Sequence, residues 1–357
     1  MGNSGRTFVI RKDELSRESR YSYKSKRKNG PEDKVRGVFV SICLVLSIAA
    51  GAAAQSGWRG FDCDVDGDLV GVYFQSSDRG WVAGDNGYLA STRDGGKTWS
   101  RVDLNIADDI NEVYFRNDKD GYVVAGRKLF VTRDGGQTWQ DIRPYRTGEF
   151  GSGTPEFLSV KFSDKRRGYI IGSVLRGSGD DAVVVDSLLM RTEDGGDTWR
   201  RVLLPFKLEL FSIFFRGNSH GWIVGDDGTV LASRDEGLTW TRQNTGTKEP
   251  LYGVDFRDQK NGVAVGKNGT IIQTTNGGDS WWPIQSPVRE SLMRVSFADD
   301  KNGWIAGHRG TILRTRDRGK SWERSLPGTN NHLYGIFMDK KFGWAVGAAG
   351  TLLRFYP

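Results

Sequence analysis

Residues 303–322 read GWIAGHRGTILRTRDRGKSW and contain the two motifs that decide the fold. The first motif is Gly-aromatic-x-x-Gly, at residues 303–307, and the second is [Ser/Thr]-x-[Asp/Asn]-x-Gly-x-[Ser/Thr]-Trp, at residues 315–322. Further copies of the first motif, two of them variants, begin at Gly80, Gly121, Gly168, Gly221, Gly262 and Gly343. The last four copies begin 41, 41 and 40 residues apart, so the chain is built from a structural repeat.

The second motif, called the Asp box below, occurs six times and predicts a tight turn in each repeat. Its acidic or amide side chain accepts hydrogen bonds from backbone N–H groups across the turn, and its glycine adopts a backbone conformation that a Cβ would forbid. Its tryptophan supplies a large apolar surface that we expect to lie under the turn. The predicted structural residues are Asp94, Trp99, Asp134, Trp139, Asp194, Trp199, Asp235, Trp240, Asn276, Trp281, Asp317 and Trp322.

An alternating apolar run precedes each Gly-aromatic motif and reads as a β-strand. Examples are LVGVYF at residues 69–74, LYGVDF at 251–256 and LYGIFM at 333–338. One repeat is therefore a strand, the Gly-aromatic strand, a third strand, the Asp box and a fourth strand, which together make one propeller blade. The sequence predicts an all-β fold, a seven-bladed β-propeller of four-stranded antiparallel blades.

The seventh repeat ends at Pro357 without an Asp box or a fourth strand. The segment at residues 56–59, Ser-Gly-Trp-Arg, resembles the start of a fourth strand. We therefore expect residues 57–61 to complete the last blade, which would pair the two ends of the domain and remove a free sheet edge.

The positive charge of the chain is concentrated before residue 37. Of 51 Lys and Arg and 44 Asp and Glu, residues 1–36 hold 11 and 5, leaving 40 and 39 for the rest, which gives no support for nucleic-acid binding. The apolar run at residues 37–54 predicts an export signal cleaved after Ala54, or a retained membrane anchor. The predicted organisation is a leader at 1–36, this segment, and a propeller at 55–357 in the periplasm or thylakoid lumen.

Residues suited to catalysis or metal binding are scarce. The chain has three histidines, and it has no nucleophile elbow, paired-histidine zinc motif or phosphate loop. The carboxylates of the Asp boxes are assigned to turns, so we predict no catalytic residue, no cofactor and no enzyme. A glycan-binding or glycan-hydrolysing, sialidase-like propeller remains the alternative. The acidic run at residues 62–68 is either a calcium loop or a solvated turn, and Tyr73 stands where a calcium loop needs Glu.

Arginines and two insertions are the candidates for partner recognition. The arginines assigned to a protein-binding patch are Arg257, Arg289, Arg294 and Arg309, because guanidinium groups are favoured in interfaces and bind carboxylates. Their alternative interpretation is solvated surface charge. Residues 143–157 and 175–187 break the repeat length, and they are either recognition loops on one propeller face or decorative loops.

The Gly-aromatic blades, the short Asp boxes and the export signal together resemble the photosystem II stability/assembly factor family of chloroplasts and cyanobacteria. The resemblance covers residues 57–357. It implies a non-catalytic propeller in the lumen or periplasm that binds reaction-centre polypeptides, which are membrane proteins, during assembly or repair. It also implies an arginine patch as the contact surface, to which the four arginines above are the match. We further expect the protein to be a monomer.

Overall fold

The computed structural model describes residues 57–61, 65, 67–178 and 181–357. The predicted leader, the predicted export segment and the three aspartates that begin the acidic run at 62–68 lie outside these residues. The described part of the chain contains no helix long and apolar enough to cross a membrane.

Seven four-stranded antiparallel sheets make up this part of the chain, which confirms the predicted propeller. The strands are β1 (Gly57–Phe61), β2 (Leu69–Phe74), β3 (Gly80–Gly84), β4 (Tyr88–Thr92), β5 (Ser100–Arg101), β6 (Ile110–Phe115), β7 (Gly121–Ala125), β8 (Lys128–Thr132), β9 (Gln140–Ile142), β10 (Thr154–Phe162), β11 (Gly168–Arg176), β12 (Val183–Thr192), β13 (Arg200–Arg201), β14 (Leu210–Arg216), β15 (His220–Gly225), β16 (Val230–Ser233), β17 (Thr241–Arg242), β18 (Leu251–Phe256), β19 (Gly262–Gly266), β20 (Ile271–Thr274), β21 (Trp282–Pro283), β22 (Leu292–Phe297), β23 (Gly303–Gly307), β24 (Thr311–Thr315), β25 (Glu323–Ser325), β26 (Leu333–Met338), β27 (Gly343–Gly347) and β28 (Leu352–Tyr356). Blades 1 to 6 take four consecutive strands each, from β2 to β25, and blade 7 contains β26, β27, β28 and β1.

The N-terminal strand closes the propeller as the sequence predicts. β1 pairs antiparallel with β28, from Gly57 opposite Tyr356 to Phe61 opposite Leu352. The ring of Trp58 lies 5.2 Å from that of Phe355, centroid to centroid. The outer edge of blade 7 is thereby covered by a strand from the other end of the domain.

The strand order defines two ends of the propeller. The turns from first to second strand and from third to fourth strand, which include the Asp boxes, lie at one end, called the Asp-box end here. The turns from second to third strand and the connections between blades lie at the opposite end, called the loop end. The first strands of adjacent blades contact each other around the central channel.

Close packing explains both glycines of the Gly-aromatic motif. A Cβ on Gly80 would lie 2.4 Å from the ring of Phe74, the last residue of the preceding strand. A Cβ on Gly84 would lie 1.9 Å from the backbone oxygen of Asp68. The aromatic residue between them is buried at blade interfaces, as with Trp81 and Trp222. The motif therefore encodes the contact between first and second strands as well as the core of each blade.

Each Asp box is a hydrogen-bonded turn. In the first, Thr98 donates its backbone N–H to Asp94 Oδ1 at 2.9 Å and its hydroxyl to Asp94 Oδ2 at 2.6 Å. These bonds lower the pKa of Asp94 to about 2. Gly96 donates its N–H to Thr92 Oγ1 at 2.9 Å, which fixes the other side of the turn. Trp281 and Trp322 are buried, whereas Trp99, Trp139, Trp199 and Trp240 are half-buried.

Candidate partner-binding site

The structure separates the four candidate arginines into two groups. Arg257 follows β18 in a turn at the Asp-box end. Arg289 precedes β22, Arg294 is the third residue of β22, and Arg309 lies in the turn from β23 to β24. These three residues lie on or beside blade 6 at the loop end, so they form one group and Arg257 does not belong to it.

Arg257 acts as a contact between blades 5 and 6. Its side chain is 5% exposed and donates from Nη1 to the backbone oxygen of Asp300 at 2.9 Å and to Asp300 Oδ1 at 2.8 Å. Its guanidinium also lies 5.6 Å from the centre of the Phe297 ring. A guanidinium held in this way is not presented to a partner, and its geometry is that of a structural residue.

Arg289 and Arg309 are exposed at the loop end. Neither guanidinium forms an ion pair with a residue that the structure describes. Their backbones are fixed, because Arg289 donates its N–H to Glu290 Oε2 at 3.1 Å and Arg309 donates its N–H to His332 Nδ1 at 3.1 Å. Each of these two turns thus carries an exposed guanidinium without an ion-pair partner among the described residues, and such a group can form charge-assisted hydrogen bonds with a carboxylate.

Arg294 lies in the central channel. It donates one long hydrogen bond, 3.4 Å from Nη1 to the backbone oxygen of Tyr252. Its charge also acts on Glu112, which belongs to blade 2 on the far side of the channel. Within the described part of the chain no carboxylate forms an ion pair with Arg294, which is half-buried.

A half-buried ion pair crosses the channel wall between blades 2 and 3. Lys161 Nζ lies 2.6 Å from Glu112 Oε1, and the other carboxylate oxygen accepts from Ser159 Oγ and the N–H of Val160 at 2.8 Å each. Burial raises the pKa of Glu112, but Lys161 and Arg294 outweigh this, and the pKa lies below its usual value. The carboxylate therefore stays charged and fully bonded, which fits a structural role.

The two insertions fold together into an extension of blade 3. β10, β11 and β12 run to nine, nine and ten residues, because both insertions lie at the loop end and lengthen these strands there. The ring of Phe150 packs 5.4 Å from that of Tyr145, and Arg201 lies 4.8 Å above Phe150. The described residues of both insertions are thus parts of the sheet and of the loop packed against it.

Comparison with known proteins identifies the family. A family model described as "Photosynthesis system II assembly factor YCF48" matches overlapping segments of the chain, at residues 50–143, 99–209, 154–250, 196–285, 242–335 and 290–356. The segments together run through all seven blades. The chain belongs to the YCF48 family.

Similar proteins carry the same family names. A photosystem II stability/assembly factor HCF136, chloroplastic, of Cyanidioschyzon merolae is 25% identical over 199 residues, which are 54% of this chain and 41% of that protein. The chain therefore spans less than half the length of this relative. A solved structure of "YCF48 bound to D1 peptide" superposes with a TM-score of 0.68 at 21% identity, covering 85% of this chain and 96% of the other.

The propeller fold is shared more widely than the family. A virginiamycin B lyase from Staphylococcus aureus, solved in a catalytically inactive form with quinupristin, superposes with a TM-score of 0.69 at 11% identity, covering 85% of this chain and all of the other. A likeness at such identity shows the fold alone. The function of this YCF48-family chain must therefore be argued from its own site residues.

The channel charges are functional candidates that the repeat pattern did not single out. Glu112 and Arg294 are the third residues of β6 and β22, and Asp255 is the fifth residue of β18. Lys161 takes the fifth place when the extended β10 is counted from Phe157. At these two positions the other blades of this chain carry Gly, Ser or an aromatic residue. A charge inside an alternating apolar strand is the available signal, because such a strand otherwise carries apolar or small residues. The sequence does not reveal which of the charges meet, since that depends on how the blades close into a ring.

Asp255 makes the stability of the protein depend on pH. Burial raises its pKa to about 6, although the N–H of Phe297 donates to Oδ2 at 2.7 Å. The folded protein therefore holds a proton between about pH 4 and pH 6 that the unfolded chain releases, and stability falls as the pH rises through this window. Asp255→Asn cannot titrate at this position, so we expect this variant to keep the stability that the natural protein loses. The difference between the melting temperatures of the variant and the natural protein should therefore increase in favour of the variant from pH 4 to pH 7.

Over this window the free energy of unfolding of the natural protein should fall by about 2–3 kcal/mol relative to that of Asp255→Asn, because the pKa of Asp255 lies about two units above its usual value. Thermal unfolding followed by circular dichroism at pH 4, 5, 6 and 7 measures it. The matched control is Asp78→Asn, an exposed aspartate in the turn after β2. A constant difference between Asp255→Asn and the natural protein at all four pH values would contradict the raised pKa.

Proposed function

We propose that this chain is an exported, non-catalytic assembly factor that binds an exposed segment of a membrane-protein partner. In a photosynthetic host the partner would be a photosystem II reaction-centre polypeptide. The observation that carries the proposal is the group of three arginines at the loop end of blade 6, none of which forms an ion pair with a described carboxylate, in a chain of the YCF48 family. The solved relative named as bound to a D1 peptide supports this class of partner.

The geometry of the three arginines suits a polypeptide carrying carboxylates. Arg289 and Arg309 project from anchored turns, and Arg294 lies within the channel. Guanidinium groups bind carboxylates through paired hydrogen bonds, and such charge-assisted bonds are stronger than neutral ones. We therefore place the binding patch on Arg289, Arg294 and Arg309, and we leave Arg257 out because its side chain is buried against Asp300 at the opposite end of the propeller.

The acids of the channel do not favour glycan hydrolysis. Hydrolysis needs one carboxyl group to protonate the leaving oxygen and a second to act as base or nucleophile. Glu112 is bonded to Lys161, Ser159 and Val160, and Asp255 accepts from Phe297. Because both carboxyl groups are bonded within the protein, the channel favours a binding role over the sialidase-like alternative.

Export is proposed from the sequence of the leader, with cleavage after Ala54 or retention of residues 37–54 as an anchor.

The first experiment for the function as a whole is affinity purification of the tagged chain from detergent-solubilised membranes of its host. Mass spectrometry should find reaction-centre polypeptides if the host is photosynthetic. Recovery of unrelated envelope proteins would move the function to a general envelope module.

The arginine patch predicts a loss of binding on substitution. We expect Arg289→Ala/Arg309→Ala to weaken binding by about tenfold or more, since each lost charge contact is worth about 1 kcal/mol and 1.4 kcal/mol is a factor of ten. Overlapping synthetic peptides that cover the lumenal segments of D1 serve as the ligand, and calorimetry measures the dissociation constant. Folding should be preserved, because both side chains are exposed.

A matched pair of arginines provides the control. Arg93→Ala/Arg316→Ala removes two exposed arginines from Asp boxes at the opposite end of the propeller. We expect this variant to bind as the natural protein does. Equal weakening by both variants would show that overall charge, not the loop-end patch, governs binding.

A further inference from the structure

The third strand of blade 3 has an open edge at the loop end. In the other blades the third strand has only four or five residues, and the fourth strand pairs with two to five of them. In blade 3 the fourth strand, β13, pairs only with Met190 and Arg191 of the ten-residue β12. Val202 then donates its N–H to the oxygen of Leu189 at 2.8 Å, and Ser187 Oγ bonds to the backbone of Leu208. The strand beyond these contacts, residues 183–186, is called the open edge below.

The open edge is suited to pairing. Val183 and Val184 pair with Arg176 and Leu175 of β11 on one side, while within the described residues no backbone bond reaches them from the other side. An unpaired row of backbone N–H and C=O groups is a template for a further strand. Three successive valines favour the extended conformation that such pairing requires.

Apolar side chains flank the open edge and remain in solvent. Val183 is 47% exposed, and Leu203, in the segment that follows β13 on the same outer side of blade 3, is 78% exposed. At the far end of the edge, Arg201 bonds to Asp186 Oδ2 at 2.6 Å. This bond holds the Arg201 side chain beside Asp186, at the end of the edge nearest β13.

We propose that the open edge binds an extended segment of the partner by adding it to blade 3 as a fifth strand. The proposal rests on the proposed function, since the segment belongs to the same polypeptide that meets the arginine patch at the loop end. Backbone groups in a row are complementary only to another extended backbone. The segment carries apolar side chains that cover Val183 and Leu203.

The size of the edge favours a linear segment over a second copy of this chain. Four residues of strand span only about 13 Å. A strand pairing of this length buries much less surface than the roughly 1,200–2,000 Å² of a stable dimer interface. The register of β12 also shifts between Val184 and Asp186, which limits continuous pairing to a few residues. Such a short ladder adds to an existing contact and fits a tail or loop already attracted by the arginines.

Amide hydrogen exchange on the complex tests the proposal, with the same overlapping D1 peptides as the probe. We expect a bound peptide to slow exchange at amides within residues 183–186, and Val183→Lys to weaken its binding about tenfold, because a charge on an edge strand opposes pairing. Leu238→Lys is the matched control, since Leu238 is 54% exposed in an Asp box at the opposite end. That variant should bind normally.

Each other outcome overturns a defined statement. Peptide binding with unchanged exchange at residues 183–186, and with normal affinity in Val183→Lys, would overturn the fifth strand and leave the proposed function intact. Failure of every peptide to bind would overturn both. If exchange at these amides in the free protein becomes slower as the protein concentration rises, the edge pairs with a second copy of the chain. That result would overturn the linear segment.

Discussion

Replacement of Trp222 by alanine is expected to lower the free energy of unfolding by about 3–5 kcal/mol, the range found for buried aromatic truncations. The side chain is 1% exposed at the seam of blades 4 and 5, and its ring stacks on that of Phe256 with centroids 3.5 Å apart. Its Nε1–H also donates to the backbone oxygen of Gly277, in the Asp box of blade 5, at 3.0 Å. The substitution removes both contacts from one interface.

Two variants separate packing from hydrogen bonding in this prediction. Trp222→Phe keeps most of the stacked area and loses the bond, which should cost about 1 kcal/mol for the bond itself plus the smaller ring. Trp240→Ala removes a half-buried Asp-box tryptophan and should cost less than Trp222→Ala. Equilibrium denaturation in guanidinium gives all three free energies. If Trp222→Ala and Trp240→Ala lowered the free energy of unfolding equally, burial would not explain how much each tryptophan contributes to stability.

The fold was predictable because each repeat of the sequence contains the motifs that specify the strands and turns of one blade. In six of the seven blades the glycine that begins the Gly-aromatic strand lies under a phenylalanine ring, as Gly80 does under Phe74, and a Cβ would clash there. The number of repeats predicted the number of blades. The seventh repeat lacks a fourth strand, which predicted that β1 closes the last blade. The glycine contact and the blade count depend on neighbours within one repeat, which is the scale that sequence periodicity reports.

The candidate site was less predictable because it depends on contacts between blades. Arg257 and Arg309 look alike in the sequence, yet Arg257 meets Asp300 of the next blade and Arg309 does not pair with a described carboxylate. The difference follows from strand direction, which places one turn at the Asp-box end and the other at the loop end. The arginine patch retains three of its four members for this reason.

The blade-3 extension shows a second limit of the sequence. Its two insertions differ from the repeat, so they could be recognised as extra, but their composition does not predict that they pair. The apolar residues that join them, Tyr145, Phe150 and Phe157, lie in one insertion and pack beside Val174 and Leu188 of the lengthened strands. Only the assembled sheet exposes the edge at residues 183–186.

Replacement of Lys161 by methionine is expected to destabilise the propeller by about 3 kcal/mol, because breaking a buried ion pair leaves an uncompensated charge. The side chains of Lys161 and Glu112 are 25% and 15% exposed, so some channel water reaches them and the lower part of the usual range applies. The carboxylate of Glu112 would keep its bonds from Ser159 and Val160 but lose its cation. Denaturation at pH 7 measures the cost.

The double variant Glu112→Gln/Lys161→Met tests whether the cost arises from the stranded charge. A glutamine oxygen can still accept from Ser159 and Val160, so the double variant should recover most of the stability lost in Lys161→Met. Lys165→Met, an exposed lysine in the following turn, is the matched control and should change stability by less than about 0.5 kcal/mol. If the double variant were as unstable as Lys161→Met, the loss would come from the packing of the lysine stem instead. The pair would then hold blades 2 and 3 together by contact area, and the charge on Glu112 would have no part in the closure of the channel wall.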